Sequence, residues 1–179
     1  MPRVRIALSA KARIGTGPKS AVWRDNLTQE SLITEQLRQA VGRESAPVVV
    51  EINKTFIKRF AEGVGDPNPL FGDEETARGS RFGGVVAPPS LFCAAFLIGE
   101  LPFAPIETLL PPRALDGGGE WEILRPVRAG DTITVVNKLT DLSERQSRIG
   151  PMLVVSMEST WQNQRQEVVA KARFTIIRY

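Results

Sequence analysis

Residues 60–77, FAEGVGDPNPLFGDEETA, gather five carboxylates (Glu62, Asp66, Asp73, Glu74 and Glu75) and one asparagine, Asn68, around two prolines and three glycines. A carboxylate in such a loop can activate a water as a general base, but reactions that move two protons ordinarily share the work with an imidazole. The chain contains no histidine, so it cannot assemble an aspartate–histidine pair from its own residues. Asp66 has two readings: a carboxylate in a substrate pocket, or an Asx residue that accepts a hydrogen bond from its own turn. Asp73, followed by two glutamates, has the pattern of a helix cap. Gly83 and Gly84 either let a ligand approach the backbone closely or make a turn. The run Gly117, Gly118, Gly119 is too short for a phosphate loop and suits a bulge or the start of a strand. No metal site is expected, because carboxylates are the only strong ligands left and they form no spaced cluster. The single Cys93, inside LFCAAFLI, rules out an internal disulfide and reads as a small buried hydrophobe.

These residues need elements to position them. Leu32, Ile33, Leu37 and Val41 recur at helical spacing, predicting a helix over 29–42 with Thr28 as cap and Gly42 as stop. PVVVEI at 47–52 is β-branched and short, which suits a strand. Helical periodicity returns over 55–64 and ends at Gly65. Residues 65–88 form an elaborated loop holding one short helix over 73–78. Pro88 and Pro89 then open a stretch that is apolar on nearly all sides, predicting a buried helix over 89–99. A proline-rich connection over 101–113 leads to four strand-like runs, at 119–127, 131–145, 151–164 and 167–179, separated by turn-like residues. Helices first and an antiparallel meander afterwards indicate an α+β fold: one apolar helix against a sheet of about five strands. Trp121 and Trp161 fall on strands as core or interface anchors.

The motif GDPNPLF (65–71), followed by RFGGVVAPP (81–89), LDGGGEWEILRPVRAGD (115–131) and the final TIIRY, resembles the MaoC-like hydratase/dehydratase family, closest to its FAS1-like dehydratase, or MaoC N-terminal, branch. The likeness runs in order over roughly residues 31–179. It implies a hot-dog fold, an antiparallel sheet wrapped around a central helix at about 89–99, working in pairs as a homodimer or a double domain. It also implies addition of water to trans-2-enoyl thioesters, or the reverse dehydration of (3R)-hydroxyacyl thioesters, with no cofactor beyond the CoA or acyl carrier protein that carries the substrate. In the family's active pattern an aspartate and a histidine share one water, and a backbone N–H at the start of the helix polarises the thioester. Here Asp66 and Asn68 keep their positions, Phe71 stands where the histidine belongs, and Pro89, which has no N–H, stands at the glycine. Gly83, Gly84, Val86 and Ala87 would line the substrate site, and Arg125, Arg128 and Lys138 either meet CoA phosphates at a dimer seam or are solvated.

The resemblance therefore implies a hydratase/dehydratase subunit without its own dyad, beside a catalytic hot-dog chain. Two alternatives stand next to it. One is a self-sufficient homodimeric hydratase or thioesterase using Asp66 with a water, Glu62 or Glu74. The other is a non-catalytic acyl-thioester binding protein.

Charge excludes another class. The first 24 residues carry six basic side chains and no acid, which leaves 17 basic against 20 acidic in the other 155. That body is net acidic and lacks the basic, aromatic-interleaved stripe of a nucleic-acid binder. Residues 1–24 superficially match a transit peptide; they read instead as an arm without chemistry, an unstructured leader or the product of a start codon set too far upstream, and the basic N-terminal arm as a whole is set at 1–28. Residues 29–179 form the single domain. No apolar run approaches the roughly 18 residues that cross a bilayer, and the expected location is cytoplasmic.

Overall fold

Period-two alternation after residue 131 demands a sheet with one dry and one wet face. The computed structural model, which describes residues 4–8, 31–94, 101–102 and 104–179, contains that sheet. Its elements in chain order are β1 (Val4–Leu8), α1 (Glu35–Ala40), β2 (Val48–Ile52), α2 (Lys54–Gly63), α3 (Glu74–Gly79), α4 (Leu91–Ala94), β3 (Ala114–Ile123), β4 (Asp131–Ser147), β5 (Gly150–Gln162) and β6 (Val168–Arg178). Every strand pairing is antiparallel, in the order β1-β3-β6-β5-β4-β2.

The register sorts the side chains. Asn137, Ser159, Ala172 and Trp121 form one row across β4, β5, β6 and β3, and Val135, Trp161, Ala170 and Ile123 form the next. Except for half-buried Ile123, these residues are buried. Phe92 of α4 meets Trp161 edge-to-face, with ring centroids 5.3 Å apart, so the helix rests on this dry face. On the wet face, the neighbours Glu120, Arg173, Glu158 and Lys138 alternate in sign. Arg173 Nε lies 2.7 Å from Glu158 Oε1, and Lys138 Nζ lies 3.4 Å from Glu44 Oε1. Such exposed pairs add little stability singly.

The start of α1 departs from the expected 29–42 helix. Ser31 Oγ and the Ile33 N–H both donate to Glu144 Oε1 on β4, which holds the lead-in extended. The helix begins after Thr34, whose hydroxyl accepts from the Leu37 N–H; Thr28 and residues 29–30 lie outside the described residues. α2 and α3 fall where predicted, with Asn53 and Asp73 as their caps. Of the expected 89–99 helix, Pro89 and Ser90 make a turn and Leu91–Ala94 is helical; residues 95–100 lie outside the described residues. The five expected strands are present, with β3 starting five residues earlier than its apolar run and carrying a register shift between Asp116 and Gly118. A sixth comes from the arm: Val4–Leu8 pairs with 119–123 of β3, so that part of the arm is sheet and not an unstructured leader.

Candidate functional site

The loop after α2 is built by side chains that take over from the backbone. Asp66 donates its N–H to the Ala61 carbonyl at 2.9 Å, and its Oδ1 accepts from the Asn68 N–H at 3.1 Å. Asn68 Oδ1 in turn accepts from the Leu70 N–H at 3.1 Å, capping the 3₁₀ turn Pro69–Phe71. Asp73 Oδ1 accepts from the amides of Glu75 and Thr76 at 2.9 and 3.0 Å. The Thr76 amide, foremost, holds the Asp73 carboxyl below its ordinary value. These relayed caps account for the Asp–x–Asn–x–x–x–x–Asp spacing.

A second strip of backbone lies against this loop. The Val86 N–H donates to the Leu70 carbonyl at 3.2 Å, the Ala87 N–H to Val127 at 2.8 Å, and the Ala129 N–H to Val85 at 3.0 Å. Arg128 Nε donates to the Phe82 carbonyl at 2.8 Å. The loop, residues 82–87 and residues 123–127 are thereby held together around a cavity of about 330 Å³, at the small end of ligand pockets.

The lining is mostly apolar. Leu70, Phe71, Phe82, Val86, Ala87, Pro89 and Phe92 form one side, and residues 123–127 the other. The polar side chains in the wall are Asn68, Arg81 and Arg125. Arg81 lies over the Phe82 ring, 4.8 Å from its centroid, and Arg125 lies 3.6 Å from Glu167. A guanidinium stays charged and an amide does not titrate, so none of the three can exchange a proton with a substrate.

Of the residues singled out by sequence, Asn68, Phe71, Val86, Ala87, Pro89 and Arg125 line the cavity; Asp66, Gly83, Gly84 and Arg128 do not. Phe71 is buried in the wall. Asp66 serves its own turn. Gly83 has φ +70°, which a turn needs and a side chain resists, so the turn reading accounts for it. Glu74 pairs with Lys54 at 2.7 Å, the interaction that chiefly holds its carboxyl low, and Glu62 lies 4.0 Å from Lys58. Neither lines the cavity. Four backbone amides of the lining are already committed: Val86 and Ala87 as above, Leu124 and Arg125 to the Val169 carbonyl. Pro89 has none.

Lys138 faces away on the wet side of the sheet, paired with Glu44. Arg81, Phe82 and Phe92 were not singled out, because their convergence with residues 123–127 depends on contacts distant in sequence. Among the described residues no group of three or more His, Cys, Asp or Glu could hold a metal, and no helix is long and apolar enough to cross a membrane. Burial pushes the Cys93 thiol up, so it is a poor nucleophile.

Comparison with known proteins agrees with this architecture. The family described as "FAS1-like, dehydratase domain region" matches residues 39–172. A probable enoyl-CoA hydratase alpha subunit from Thermomonospora curvata is 30% identical over 143 residues, covering 72% of this chain and 45% of that subunit. A MaoC-like dehydratase from Rhodospirillum rubrum superposes with a TM-score of 0.58 at 30% identity, over 78% of this chain and 92% of that one. A chain of the ChsH1-ChsH2 complex from Mycobacterium tuberculosis superposes with a TM-score of 0.67 at 24% identity, over 80% and 87% of the two chains, a likeness of fold alone. With its antiparallel sheet laid over an apolar helix and its GDPNP loop beside that helix, this chain is a hot-dog protein and belongs to the MaoC-like hydratase/dehydratase family, in the FAS1-like dehydratase branch.

Proposed function

We propose that this chain is a hydratase/dehydratase subunit that holds the acyl part of a CoA or acyl-carrier-protein thioester, while a partner hot-dog chain supplies the aspartate–histidine pair. The observation that carries the reading is the composition of the cavity wall. It offers apolar surface for a hydrocarbon chain and two guanidiniums at exposed positions, but no group able to exchange a proton. Phe71 fills the place of the proton-transferring histidine. That a 30%-identical relative bears the name of an alpha subunit, and that a structural neighbour was solved as a two-protein complex, supports work in a heteromer.

The test uses the pure full-length chain with a series of trans-2-enoyl-CoAs. Binding is expected to raise the melting temperature while the enoyl absorbance stays constant. Hydration by the chain alone, abolished by Asp66→Asn, would show a self-sufficient enzyme and overturn the proposal; release of free CoA would make it a thioesterase.

A further inference from the structure

The cavity is not backed by solid protein. Phe92 and Val127 line it, and the same two side chains line a second void of about 10 Å³ deeper in the core. Beyond them this void is bounded by Val50, Ile52, Phe56 and Trp161. A space of that size is at the limit for one water, and no polar side chain faces it. Phe92 is buried in the first turn of α4, and its ring stands at 67° to that of Trp161. That edge-to-face contact fixes the ring where it separates the outer cavity from the void.

We infer that Phe92 sets the length of acyl chain this subunit accepts, with Val127 completing the same wall. The inference rests on the acyl-binding reading above and adds to it the residue that decides specificity. Each methylene buried in the apolar cavity should tighten binding by about fourfold. The gain stops when the chain meets the Phe92 ring, because a close-packed wall does not yield to a further methylene without strain. With the ring removed, cavity and void join, and a longer chain can continue toward Val50 and Trp161.

The experiment measures dissociation constants of straight-chain saturated acyl-CoAs, from butanoyl to hexadecanoyl, for the full-length chain and for Phe92→Ala, each checked for folding by circular dichroism. The wild type is expected to bind more tightly with each added pair of carbons up to a plateau, and Phe92→Ala to move that plateau several carbons longer. A folded Phe92→Ala chain with an unmoved plateau overturns the inference. Should that variant fail to fold, Val127→Ala thins the same wall; a smaller shift supports the inference and no shift overturns it. A wild-type chain that binds none of the series overturns the acyl-binding reading itself, an outcome distinct from an unmoved plateau.

Discussion

Phe71 sits in a loop whose shape is set by its neighbours' side chains. The turn around it is set by Asp66, Asn68 and Asp73, each of which accepts backbone hydrogen bonds from residues a few places on. Phe71 itself contributes a buried ring to the cavity wall. The caps therefore form a scaffold that does not depend on the residue at position 71. The scaffold should have a measurable acid dependence. Because the Thr76 amide favours the charged form, Asp73 titrates below the ordinary aspartate value of 3.8. Its contribution to stability is then complete above that value and is lost as pH falls through the lower folded-state pKa. Carboxyl NMR titration should place the Asp73 midpoint under 3.8, and Asp73→Ala should remove that part of the acid dependence; an ordinary midpoint would mean that the cap does not form in solution.

At the scale of elements, the sheet is specified by a few close approaches and turns. Gly119 lies beneath the Trp121 ring, where an added Cβ would stand 2.6 Å from Cη2 and 3.1 Å from the Arg173 carbonyl, so only glycine admits the buried indole. The hairpin joining β5 to β6 depends on Asn163. Its Oδ1 accepts from the amides of Arg165 and Glu167, both at 3.0 Å, and its Nδ2 donates to Glu167 Oε2 at 2.8 Å. Asn163 is buried, so Asn163→Ala leaves those amides without their acceptor and should cost about 2–3 kcal/mol. A lowered urea midpoint with unchanged slope is the expected result. The turn was legible as a cluster of polar residues, but which of the four organises it was not, since burial alone distinguishes Asn163 from its neighbours.

At the scale of the whole molecule, the ends of the sheet matter most. Arg178, buried at the end of β6, pairs with Glu107, and Arg113 and Tyr179 exchange two backbone hydrogen bonds; together these pin the connection before β3 across that end. At one edge, β1 occupies the hydrogen-bonding side of β3 from Gly119 to Ile123, immediately before the stretch that walls the cavity. An uncovered edge offers a row of free amides and carbonyls to another chain. Deleting residues 1–8 should therefore make the protein self-associate as its concentration rises, which light scattering would detect. A deletion variant that scatters like the full-length chain would show that β1 does not cover this edge in solution.

The sequence by itself determined the α+β class, five of the strands, the two helices beside the GDPNP loop with the Asp73 cap, and the lack of any histidine in the chain. These follow from local chemistry: periodicity, capping residues, and the absence of histidine from the chain. Tertiary structure decided what local chemistry leaves open. It started α1 at Glu35 because Glu144, more than a hundred residues away, holds the lead-in extended. It drew Val4–Leu8 into the sheet, because strand pairing depends on a partner edge and not on the segment's own charge. It assigned Asp66 to its turn and gave the cavity instead to Arg81, Phe82, Phe92 and residues 123–127. Those residues meet only after β3 is in place beside α4, and no spacing along the chain encodes that contact.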